Sequence, residues 1–62
     1  MEHTTRVMVV DDYAAIRKIV RSLFENQGYE VVDAENGADA VRMAPGLRPD
    51  LIVLDLSMPI MN

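Results

Sequence analysis

The order of apolar and polar positions along the chain predicts three strands. Two unbroken apolar runs, at 7–10 and 51–54, each end at an aspartate, a pattern typical of buried strands in a parallel sheet. A more polar run follows Gly28 and suits an edge strand. The predicted strands span about 6–11, 29–34 and 50–55.

A helix at about 13–27 is predicted by apolar residues at helical spacing, which are expected to pack on the sheet. These residues are Ile16, Ile19, Val20, Leu23 and Phe24. Asp11 or Asp12 can cap the amino end, and Gly28 is the natural left-handed residue after the last turn. Arg17 and Arg21 lie largely outside the stripe that these apolar residues form along the helix, and they are expected to form a solvated face.

A second, shorter helix is predicted at about 37–44. Asn36 can cap it, and Asp39 lies in its first turn, where the helix dipole favours a negative charge. Pro45 and Gly46 are expected to end it.

The element order is therefore β-α-β-α-β, with connections long enough for right-handed parallel crossovers. Such crossovers give the strand order 2-1-3. We predict an α/β fold that forms half of a doubly wound parallel sheet, with residues 1–62 as one partial domain. The two most apolar strands, the first and the third, are then neighbours. Their acid-bearing carboxyl ends meet where the chain reverses its direction of winding, which is where open α/β sheets place their sites.

Composition removes several classes of protein from consideration. A chain of 62 residues makes one small domain, and the absence of cysteine excludes disulfides. A net charge of −4 argues against nucleic acid or an anionic membrane as a direct partner. A transmembrane helix needs about 20 consecutive apolar residues, and no segment of the chain comes close to that length. We expect a cytoplasmic protein.

Three carboxylates are expected to converge at the reversal point, those of Asp11, Asp12 and Asp55. Like charges this close repel one another, and a divalent cation is the simple compensator. All-oxygen ligands favour Mg²⁺, Mn²⁺ or Ca²⁺. A carboxylate beside such an ion can act as the nucleophile toward a phosphoryl group.

Three motifs in this order resemble the amino-terminal half of the receiver domains of two-component response regulators. The motifs are Val7-Met8-Val9-Val10-Asp11-Asp12, then Ala34-Glu35-Asn36-Gly37 with Ala40, then the stretch from Pro49 to Pro59. The resemblance covers the chain from Arg6 onward and implies a flavodoxin-like fold.

The resemblance also implies a role for each site residue. Asp55 is the expected phosphoacceptor, which receives a phosphoryl group from a phosphohistidine of a sensor histidine kinase. Asp12 is the expected direct Mg²⁺ ligand, and Asp11 positions the ion mainly through water. Ser57 is expected to contribute its backbone carbonyl to the ion, and Pro59 to shape the following loop.

The resemblance ends before the fourth and fifth strands of the family, which bring a hydroxyl residue and a lysine to the phosphoryl group. Lys18 lies on the first helix and cannot be taken as that lysine. We therefore expect a domain truncated after the phosphoacceptor loop. Its Mg²⁺ occupancy should be weak or absent, and stable phosphorylation little or none.

In a 2-1-3 sheet the third strand has a free edge, and such an edge favours pairing with another chain. We expect a homodimer through this edge that completes the sheet, with exchange of elements between copies as the rival arrangement.

Three functional interpretations remain open. The first is a signalling module that is not an enzyme. The second is a metal-dependent phosphohydrolase with an aspartate nucleophile, which usually has a second acid at the position that Ser57 occupies. The third is an inert structural fragment, in which Asp12 is only a helix cap and Asp55 only a turn residue.

Overall fold

The computed structural model describes residues 3–54 and confirms the predicted α/β fold, with three parallel strands and two helices. In chain order the elements are β1 (Arg6–Val10), α1 (Ala14–Asn26), β2 (Glu30–Ala34), α2 (Gly37–Leu47) and β3 (Leu51–Leu54). The sheet order is β2-β1-β3, as predicted. The predictions for Asp55, Ser57 and Pro59 concern positions outside the described residues.

The central strand β1 carries the core. Its residues from Val7 to Val10 are at most 2% exposed, because side chains alternate between the two faces of the sheet and each face is covered by a helix. On the α2 face, Met8 and Val10 pack with Ala34 and Ala40. On the α1 face, Val7 and Val9 pack with Val31.

Only part of the predicted apolar stripe of α1 packs on the sheet. Val20 and Phe24 contact the core on their face, and the ring centroid of Phe24 lies 5.6 Å from that of Tyr29. Ile16, Ile19 and Leu23 are exposed, so the prediction was wrong for these three. The physical reason is that α1 lies against β1 and β2, and the stripe is wider than the surface that these two strands offer.

The amino end of α1 also differs from the prediction. Tyr13 occupies the N-cap position and its side chain makes no capping hydrogen bond. The Asp11 carboxylate instead accepts the Tyr13 N–H at 2.9 Å, two residues along the chain, as aspartates do in tight turns. At the other end Gly28 has φ 92°, which confirms the predicted left-handed residue.

The helix α2 begins as predicted and ends later than predicted. The Asn36 side chain accepts the Asp39 N–H at 2.8 Å, which confirms the cap. Pro45 lies inside the helix rather than ending it. A proline near the end removes a single intrahelical bond, while continuation lets Leu47 pack on the core and lets Arg6 donate to the Leu47 carbonyl.

The amino end of β3 is held by Asp50. Its carboxylate accepts the Arg6 N–H at 2.8 Å and lies 2.9 Å from His3 Nε2. The hydrogen bond from Arg6, followed by that from His3, lowers the pKa of Asp50 from its ordinary value.

The strand β3 is not the buried strand that its unbroken apolar run predicts. Leu51, Ile52 and Leu54 are exposed, and Val53 is half-buried. The strand pairs with β1 on one side; within residues 3–54 no strand pairs with its other side. Over the same range no helix is long and apolar enough to cross a membrane.

Candidate functional site

The site is built on the carboxyl end of β1. Asp11 follows the last residue of this strand, and its N–H still donates to the Ala34 carbonyl on β2 at 3.2 Å. This bond holds the Asp11 backbone at the end of the sheet. Asp11 is 5% exposed, whereas the next residue, Asp12, is exposed.

The register of the sheet decides which residues come together here. Val10 on β1 pairs with Leu54 on β3. The residue before Asp11 therefore lies beside the residue before Asp55. The structure brings Asp11 and Asp12 to the site, whereas the predicted Asp55 and Ser57 are outside the described residues. Within residues 3–54 no three acidic, histidine or cysteine side chains gather closely enough to hold a metal ion.

The surroundings of Asp11 differ from those of the other aspartates with assigned partners. Asp33, Asp39 and Asp50 each pair with an arginine or histidine side chain. The Asp11 carboxylate accepts the Tyr13 N–H and, among the described residues, forms no ion pair.

A buried carboxylate without a cationic partner is costly, and a divalent cation would remove that cost. The donor atoms that Asp11 and Asp12 offer are oxygens, which suit Mg²⁺. The chemistry of these two residues therefore fits a magnesium site at this end of the sheet.

The sequence analysis missed one contact at the site. Arg17 was expected on a solvated face, but its guanidinium Nη1 donates to the Asp11 carbonyl at 2.8 Å and its Nε lies 3.5 Å from an Asp33 carboxylate oxygen. The signal that could have found it is helical spacing: Arg17, Arg21 and Glu25 repeat every four residues on one face of α1.

Arg21 continues this row of charges away from the site. It pairs with Asp33 at 3.5 Å and with Glu25 at 3.1 Å. The hydrogen bond from Arg21 to Glu25 is the main cause that raises the pKa of Arg21. Unlike Arg17, Arg21 makes no hydrogen bond to the Asp11 carbonyl among the described contacts.

The chain is similar in sequence to known proteins over most of its length. The chemotaxis protein CheY of Thermotoga maritima is 41% identical over 58 residues, which cover 92% of this chain and 48% of that protein. The transcriptional regulatory protein ResD of Bacillus subtilis is 44% identical over 55 residues, covering 89% of this chain and 23% of that protein.

A putative transcriptional regulator of Pseudomonas aeruginosa is 46% identical over 56 residues, which cover 89% of this chain and 27% of that protein. The chain thus spans less than half the length of each of these three relatives. Residues 7–62 match the family of response regulator receiver domains. Since this match includes most of the 62 residues, the chain belongs to the response regulator receiver domain family.

Proposed function

We propose that this chain is the phosphoacceptor module of a two-component signalling system. Asp55 receives the phosphoryl group from a sensor histidine kinase, and Mg²⁺ is held by Asp11, Asp12, Asp55 and the backbone carbonyl of Ser57. The observation that carries the proposal is the buried Asp11, which has no ion pair among the described residues and directly follows the strand residue that pairs with Leu54.

The reaction is a transfer between two nucleophiles. A carboxylate oxygen of Asp55 attacks phosphorus, the bond from phosphorus to the histidine nitrogen breaks, and the imidazole leaves. When bound, the magnesium ion screens the repulsion between the anionic carboxylate and the anionic phosphoryl group. The exposed Asp12 would bind the ion directly, and the buried Asp11 would orient it.

We further infer that the chain is not itself an enzyme, since in the proposed reaction it only accepts a phosphoryl group, and that it acts in the cytoplasm. Family membership leaves the phosphohydrolase alternative without support. The position two residues after Asp55 is Ser57, not the second acid of such hydrolases.

Acetyl phosphate tests the proposed phosphoacceptor. With Mg²⁺ present, we expect little stable adduct in the intact mass, because the 62 residues contain one lysine, Lys18, and it lies on α1 rather than at the carboxyl end of a strand. Reduction with borohydride during the reaction should nevertheless convert a fraction of Asp55 to homoserine, which peptide mass spectrometry locates.

The matched variants are Asp55→Asn, which should give no homoserine, and Asp39→Asn, which removes an aspartate paired with Arg42 on α2 and should leave the yield unchanged. Homoserine at a different position, an equal yield in EDTA, or no product at all would contradict the proposal. A stoichiometric, lasting phosphoryl group would contradict the expected instability.

We also propose that the 62-residue chain forms a homodimer through β3. A two-fold axis normal to the sheet would pair the two β3 strands antiparallel and give the order 2-1-3-3′-1′-2′. This arrangement is supported by the side chains of β3, because the exposed ones are all apolar. They belong to Leu51, Ile52 and Leu54. An apolar edge strand is a strong site for strand pairing.

Light scattering at micromolar protein concentration measures the molar mass and so tests the predicted dimer. Ile52→Lys places a charge on the β3 edge and should shift the chain to monomer, since charged edge residues oppose pairing. Leu23→Lys places the same charge on the exposed face of α1 and should leave the dimer intact. A compact native monomer at that concentration would rule out both edge pairing and element exchange.

A further inference from the structure

We propose that Arg17 is a positioning residue for the metal site, because it fixes the peptide that joins Asp11 to Asp12. The inference rests on the proposed function of the site. It assigns to the first helix a direct part in orienting the two carboxylates, where the charge pattern alone indicates a solvated face.

The first contact is the hydrogen bond from Arg17 Nη1 to the Asp11 carbonyl, at 2.8 Å. This carbonyl belongs to the peptide unit that leads into Asp12. The preceding peptide unit is held as well, because the Asp11 N–H donates to the Ala34 carbonyl. With hydrogen bonds on both sides, the Asp11 backbone has little freedom to rotate, and the directions of the two carboxylates are set together.

The second contact anchors the guanidinium itself. Arg17 Nε lies 3.5 Å from an Asp33 oxygen, and the Arg17 side chain is 20% exposed. Asp33 lies on β2 and pairs in register with Val9 on the central strand. The planar guanidinium can therefore link the β2 strand to the β1–α1 turn with two of its nitrogens, which a single ammonium group cannot reproduce.

The sign of the expected effect separates positioning from simple electrostatics. A positive charge beside a cation site repels the cation, so removing it should raise Mg²⁺ affinity slightly. Removing a group that orients the ligands should lower the affinity instead, by about tenfold if Arg17 resembles other groups that support metal ligands from outside.

Mg²⁺ titration followed by two-dimensional ¹H–¹⁵N NMR measures this affinity from the amides of residues 11–13. We expect Arg17→Ala to weaken binding about tenfold. Arg21→Ala is the matched control, since it removes the same charge and an ion pair with Asp33 at the same distance, together with the pair to Glu25, but no contact to the Asp11 carbonyl. The Mg²⁺ affinity of Arg21→Ala should equal or slightly exceed that of the unmodified chain.

Equal effects of the two substitutions, or tighter binding in Arg17→Ala, would overturn the inference. If Arg17→Ala does not fold, Arg17→Lys decides, because it keeps the charge and should still weaken binding; native affinity in this variant would count against the role of the guanidinium. If the unmodified chain binds no Mg²⁺ at residues 11–13, the proposed function fails before Arg17 is at issue, so the two failures are distinguishable.

Discussion

Met8→Ala should remove most of the stability of the fold. The Met8 side chain is fully buried on the central strand, between the sheet and α2, where it packs with Val10, Ala34 and Ala40. Truncating a buried methionine costs about 2–5 kcal/mol. The total free energy of unfolding of a 62-residue domain is roughly 3–9 kcal/mol, at about 0.05–0.15 kcal/mol per residue.

Urea unfolding followed by far-UV circular dichroism measures the loss. The matched control is Leu23→Ala, which truncates a side chain of similar size that is 58% exposed; we expect a change within about 0.5 kcal/mol. Similar losses in the two variants would mean that β1 is not the centre of the core.

Asp11→Asn should raise stability and lower Mg²⁺ affinity at the same time. Asparagine keeps an oxygen for the Tyr13 N–H but removes a buried charge that has no ion pair among the described residues. Without metal, the free energy of unfolding should rise by about 1 kcal/mol. Mg²⁺ binding should weaken about tenfold or more, as when the groups that support metal ligands are lost.

Thermal unfolding in EDTA and calorimetric titration with Mg²⁺ measure the two effects. Glu25→Gln, the matched control, removes an equal charge at the far end of α1 and should change neither the Mg²⁺ affinity nor the metal-free stability by a comparable amount. A less stable Asp11→Asn chain with unchanged affinity would make Asp11 a purely structural residue.

The elements that local chemistry determines were predictable. The strands follow from short apolar runs, and both the Asn36 cap and the left-handed Gly28 depend on residues within a few positions of one another. The strand order follows from the crossover rule, and the position of Asp11 from the strand order.

What the sequence did not show depends on contacts between elements. Whether Ile16 or Leu23 is covered depends on how many strands lie under α1. Pro45 lies inside α2 because the helix continues to Leu47, whose side chain packs against the core. The pairing of Arg17 with Asp33 joins α1 to β2, and helical spacing alone does not reveal an acidic partner on a strand.

The central claim is that Asp11, Asp12 and Asp55 hold one divalent cation, and paramagnetic broadening by a small amount of Mn²⁺ tests it most directly. In ¹H–¹⁵N spectra the amides of Asp11, Asp12 and Asp55 should broaden together, at a concentration that leaves Glu25 and Glu30 unaffected, and excess Mg²⁺ should reverse the effect. Broadening at Asp11 and Asp12 without Asp55, or spread evenly over the exposed acids, would contradict the claim.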